Sequence, residues 1–144
     1  MLKDFLHENI FILDKVQSWE DAIQEAGKPL VEQGVIEQRY IQAMIQSVYK
    51  NGPYMIIMPK IALAHARPED GVISNGISFC KLNTPVEFPE NNMVDIIVVL
   101  AANENSSHLE LMSELADLLV NDEKISIVRL AKDIDSIIEI LFSE

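Results

Sequence analysis

The chain predicts an α/β fold: a mixed central β-sheet flanked by helices, built as a single-domain sandwich. Three observations carry that expectation. The run MVDIIVVLAA at 93–102 is the most apolar in the chain, the kind of strand that lies mid-sheet with both faces covered. Short strand-like runs are interspersed with segments of helical apolar spacing. No repeat, low-complexity tract or Pro/Gly/Ser linker interrupts the 144 residues, a length that buries one proper core, so 1–144 is read as one domain.

Taken in order, FILDKV at 11–16 predicts a first strand. Ser18, with Asp21 three positions on, forms a capping-box pattern ahead of Ile23, Ala26 and Leu30 at helical spacing. Tyr40, Ile41, Met44, Ile45 and Val48 predict a second helix, stopped by Asn51-Gly52-Pro53. YMIIM at 54–58 and the IALAHA run read as strands leading to a loop at 67–71. GISFCKL and PVEF give two further strands before the central run. Ser107 and Glu110 form a second capping-box pattern, opening a helix with Leu111, Met112, Leu115, Leu118 and Leu119 on one stripe. A helix around 122–132 and a last one bearing Ile134, Ile137, Ile138 and Leu141 complete the chain. The apolar Ile137, Ile138, Ile140, Leu141 and Phe142 exceed one narrow stripe and are read as core, with packing on a second subunit, a homo-oligomer, as the alternative.

Composition excludes several functions. Net charge is −12, from 11 basic and 23 acidic side chains, with Arg39, Arg67 and Arg129 the only arginines. Such a field repels a phosphate backbone, which argues against nucleic acid and suits a partner with a basic face. The plainer account of the acidity is solubility. No apolar run approaches the length that crosses a bilayer, and the charged opening MLKDFLHENIF lacks a signal peptide's apolar segment, so a cytoplasmic location is expected. The single Cys80, in GISFCKL, is expected to be a small buried residue. His7, His65 and His108 lie far apart with no metal-ligand spacing, so no metal is expected. There is no G-x-S-x-G elbow, P-loop or G-x-G-x-x-G either.

What remains is PKIALAHARPEDGV at 59–72. His65 ends an apolar run and is compatible with a packed residue, a metal ligand, an acid/base group or a nucleophile. A neutral imidazole carries a lone pair and can attack phosphorus without first losing a proton. The phosphoryl oxygens then need cations or N–H donors. Arg67, two residues on, would point to the same side of an extended chain; its plain alternative is a surface ion pair with Glu69 or Asp70. His108 stands in the first turn of a helix opening after the central strand, where backbone N–H groups and the dipole favour an anion; alternatively it is merely tolerated there. His7 reads as surface.

GPYMIIMPKIALAHARPEDGV at 52–72 resembles the active-site region of the phosphotransferase-system (PTS) enzyme IIA family of the mannitol/fructose type. Gly-Pro-Tyr ahead of the histidine and Ala-Arg-Pro-Glu-x-Gly-Val behind it resemble the ascorbate-specific branch most closely. The similarity runs the whole chain, through Trp19-Glu20-Asp21-Ala22, Pro85-Val86-Glu87-Phe88, and Val94-Asp95-Ile96 on to His108-Leu109. The resemblance implies a phosphotransferase that holds no cofactor. His65 would accept a phosphoryl group from the histidine phosphocarrier protein HPr and donate it to a cysteine of enzyme IIB, which feeds the membrane IIC permease. His108 would steady the phosphoryl site, and the sugar would be L-ascorbate, with galactitol, mannitol or fructose, or a regulatory role, as alternatives. Two departures stand out. The family's proline before the histidine is Ala64 here, and where mannitol-type members carry an upstream arginine this chain reads Ser47-Val48-Tyr49-Lys50. Arg67 is therefore the expected phosphate partner, oriented by Glu69.

Overall fold

The structure, a computed structural model, describes residues 2–103 and 106–143, without the side chains of 106–108. In chain order the elements are α1 (Leu2–Leu6), β1 (Ile10–Leu13), α2 (Trp19–Glu32), α3 (Gln38–Asn51), β2 (Ile56–Met58), β3 (Ile61–Ala64), a 3-10 turn (Pro68–Asp70), β4 (Gly76–Phe88), β5 (Asn92–Ala101), α4 (Ser106–Leu119), α5 (Asp122–Leu130) and α6 (Ile134–Leu141).

The five strands form one sheet in the order β1-β4-β5-β3-β2. β1 runs parallel to β4 and β3 parallel to β5, whereas the β4/β5 and β2/β3 pairs are antiparallel, so the sheet is mixed as expected. β5 is central, and alternation along it divides the core in two. Ile97, Val99 and Ala101 join α2 and α3 on one face; Ile96, Val98 and Leu100 join α1, α4, α5 and α6 on the other. A strand sandwiched this way has no polar face to show, which is why its sequence reads as continuous apolar residues.

Local chemistry explains the boundaries. Ser18 caps α2, its hydroxyl accepting from Asp21 N–H at 3.1 Å, while Asp21 accepts from Gln17 N–H at 3.3 Å. Gly52 ends α3 at φ +79, and Pro53 follows. Several expectations need correction. The first strand covers 10–13 and not 11–16, because β4 offers it only the partners Phe79 to Leu82. GISFCKL and PVEF are halves of one strand whose register with β5 shifts between Lys81 and Val86. β3 ends at Ala64, leaving His65 beyond the strand. α4 already begins at Ser106, so Ser107 is not its cap. The fifth helix stops at Leu130, where Ala131 turns extended. α1 was not anticipated; it buries Leu2 and Leu6 under the sheet. At the C-terminus Ile137 and Leu141 are buried, with Ile138, Ile140 and Phe142 packed against the same core.

One polar group lies under α5. Arg129 pairs with Asp95 at 2.9 Å, and Lys81 donates its Nζ to the Ala131 carbonyl. Burial pushes the Lys81 ammonium's pKa down, with Asp95 opposing.

Candidate phosphoryl-transfer site

Because β3 and β5 are parallel neighbours, with Ala64 opposite Val99, both finish at the same edge of the sheet. His65 leaves one strand there, and the connection to α4 leaves the other. Sites in α/β sheets form at such carboxyl ends.

The His65 ring is fixed by its own backbone. Nδ1 lies 2.8 Å from the Leu63 carbonyl. A carbonyl only accepts, so Nδ1 carries the proton and the neutral ring keeps its lone pair on Nε2. The ring is half-buried. Tyr54 packs edge-on against it, with centroids 5.2 Å apart at 81°, and its hydroxyl donates to the His65 carbonyl at 2.8 Å.

The residue after His65 is held by Tyr40, which is 1% exposed. Its hydroxyl accepts from Ala66 N–H at 2.9 Å and donates to the Leu100 carbonyl at 2.7 Å, with the Ala66 carbonyl at 3.2 Å. One phenol thus ties the His65 segment to the end of β5. Burial pushes its pKa up to about 12, so it stays a donor at any physiological pH.

The 3-10 turn follows. Gly71, at φ +136, closes it against α3: an added Cβ would stand 3.0 Å from Tyr40 Cβ and 3.1 Å from Tyr40 N. Arg39 Nη1 donates to the Glu69 carbonyl at 3.0 Å, joining α3 to the turn from the other side.

A cleft of about 820 Å³ opens beside His65, walled by α3 on one side and by Tyr54 and the turn on the other. Of the residues singled out in the sequence, His65 and Arg67 line it together. Arg67 is 76% exposed, and its Nε lies 3.2 Å from Glu69 and 3.6 Å from Asp70. His108 has its backbone in the first turn of α4, and its side chain lies outside the described residues. His7 is exposed and remote in sequence from every lining residue.

Sequence reasoning missed Tyr54, Tyr40, Gln46, Ser47 and Lys50. Tyr54 lay in plain view in the Gly-Pro-Tyr motif. Tyr40 reads as one more position of the α3 apolar stripe, Ser47 and Lys50 fall in the stretch where mannitol-type members carry an arginine, and nothing in the sequence singles out Gln46. Cys80 is buried at 1% exposure, and burial, with Glu25 adding to it, pushes its thiol to about 12. It is therefore not a reactive thiol. Among the described residues no group of three or more His, Cys, Asp or Glu side chains could hold a metal ion.

The family model for the phosphoenolpyruvate-dependent sugar phosphotransferase system, EIIA 2, matches residues 4–144. The ascorbate-specific PTS system EIIA component of Escherichia coli (strain K12) is 32% identical over 145 residues, covering 97% of this chain and 94% of that protein. The solution structure of the mannitol-specific cryptic phosphotransferase enzyme IIA CmtB from Escherichia coli superposes with a TM-score of 0.90 at 30% identity, covering 97% of each chain. Enzyme IIAMTL of Escherichia coli, solved in complex with phosphorylated enzyme IIBMTL, gives 0.80 at 28% identity, with 95% of this chain and 96% of that one covered. With the whole fold, and nearly the whole sequence, so matched, this chain belongs to the EIIA 2 family and is a phosphotransferase component of the sugar phosphotransferase system.

Proposed function

We propose that residues 1–144 form one cytoplasmic phosphocarrier domain that takes a phosphoryl group from phospho-HPr onto Nε2 of His65 and passes it to a cysteine of an enzyme IIB, in a system for L-ascorbate uptake. The observation that carries the reading is the hydrogen bond from Nδ1 to the Leu63 carbonyl. It commits one ring nitrogen to the backbone and leaves the other as a nucleophile beside an open cleft.

In the first transfer the Nε2 lone pair forms a bond to phosphorus while the donor's P–N bond breaks and its electron pair returns to the donor imidazole. In the second, a thiolate of the partner attacks, and the pair returns to Nε2. His108 serves as a hydrogen-bonding stabiliser of the phosphohistidine and Arg67 as a charge partner at the mouth of the cleft. Both partners must reach the same ring in turn, which its half-exposed position allows. The choice of ascorbate follows the names of the relatives that are about one-third identical, and the choice of a IIB partner follows the IIAMTL complex.

Incubation with the phosphoenolpyruvate-driven carriers is expected to place an acid-labile phosphate on the wild type and none on His65→Ala. Label persisting in His65→Ala would defeat the assignment. Offering the labelled protein to ascorbate, mannitol, fructose and galactitol IIB proteins is expected to move the label fastest to a cysteine of the ascorbate protein. Faster transfer to any other would reassign the sugar.

A further inference from the structure

The ion pairs account for one of the two cations lining the cleft, and we propose that the other, Lys50, is the principal group neutralising the phosphoryl oxygens on His65. This rests on the phosphocarrier reading and adds the identity of the charge partner.

Placement comes first. Ala43, Gln46, Ser47 and Lys50 recur at i, i+3, i+4 and i+7, so they share one stripe of α3, and that stripe faces the cleft that His65 lines. Competition comes second. Arg67 Nε is shared between Glu69 and Asp70, so two carboxylates already offset its charge. Lys50 makes no side-chain ion pair or hydrogen bond among the described residues. Need comes third. The molecule carries a net charge of −12, Asp70 lines the cleft, and α3 ends at Asn51, turning the negative end of its dipole toward the site. An arriving phosphoryl group meets repulsion there unless a cation offsets it.

Lysine suits the task. Its ammonium rides a flexible four-carbon stem with three donors, so it can follow a PO3 group handed from one protein to the next. It forms and breaks no covalent bond. Its contribution is to the charge spread over the three oxygens as the P–N bonds exchange.

The test compares wild type, Lys50→Met, Lys50→Arg and Arg67→Met, using phospho-HPr and, separately, phosphoramidate as donor. Phosphoramidate needs no protein docking. Lys50→Met is expected to slow labelling of His65 by about tenfold with both donors, as for one partly solvated charge and not an enclosed donor. Lys50→Arg should stay within about threefold and Arg67→Met should lose less than Lys50→Met. A ³¹P titration of the phosphohistidine is expected to show the phosphate protonating at higher pH in Lys50→Met, a change that a purely structural role would not produce.

Wild-type rates in Lys50→Met would overturn the proposal, as would a defect seen with phospho-HPr alone or an equal loss in Lys50→Arg. An unlabelled wild type would defeat the phosphocarrier reading and this proposal with it. Lys50 is exposed, so all four proteins are expected to melt alike, and their thermal unfolding curves serve as the control.

Discussion

Tyr40 illustrates how one side chain serves both core and site. Its ring belongs to the α3 apolar stripe, while its hydroxyl joins Ala66 to Leu100. Tyr40→Phe keeps the ring and leaves a buried N–H and carbonyl short of a partner. A loss of about 1–3 kcal/mol in urea unfolding is expected, together with slower phosphorylation as the His65 segment loosens. Stability and rate both unchanged would show that the bridge is unimportant. None of this was legible from spacing alone, which marks Tyr40 as one more apolar position in 40, 41, 44, 45, 48. Period reports which face is buried and says nothing of what the tip of a side chain touches. His65 was legible for the opposite reason: a titratable residue ending an apolar run violates the pattern around it.

At the level of elements, the 3-10 turn depends on Gly71. With φ at +136 and Tyr40 at van der Waals limit, Gly71→Ala meets backbone strain and a clash together. We expect a destabilisation of about 1–3 kcal/mol and a displaced Arg67, read by chemical denaturation and by the labelling rate. A folded variant with wild-type stability would refute this account of the turn. The helices α2 and α3 were readable because Ser18 punctuates one with a side-chain cap and Gly52 the other with a positive-φ backbone ahead of Pro53, chemistry that acts within a few residues. The unity of β4 was not readable. Pro85 interrupts the run GISFCKLNTPVEF, and only pairing with β5 on both sides of the register shift shows the two halves to be one strand. Likewise α1 is a helix of 5 residues, too short to declare a period, and it is fixed by the sheet it covers.

For the whole molecule, the buried hydroxyl and thiol set the expectation at high pH. Tyr40 is raised from 10.0 to about 12 and Cys80 from 9.0 to about 12, both chiefly by burial. The unfolded chain surrenders these protons at the ordinary values and the folded protein holds them longer. The stability they confer is thus complete below about pH 9 and is lost as pH rises through 9 to 12. Urea midpoints are expected to fall steeply over that window. Tyr40→Phe and Cys80→Ala, each compared with its own neutral-pH value, should flatten the fall. A midpoint that does not move up to pH 12 would contradict the burial of both groups. The central β5 run had already announced a sheet covered on both faces. The pairing of parallel β3 with β5, which brings the histidine segment to the same end of the sheet as the close of β5, came only from the three-dimensional arrangement.

The bond from the His65 ring to the Leu63 carbonyl also has an analytical consequence. Phosphohistidine exists as two regioisomers, and the proposed transfer to a ring anchored in this way yields the tele form. Antibodies raised against tele-phosphohistidine mimics should stain the loaded protein, and those against the pros isomer should remain blind to it.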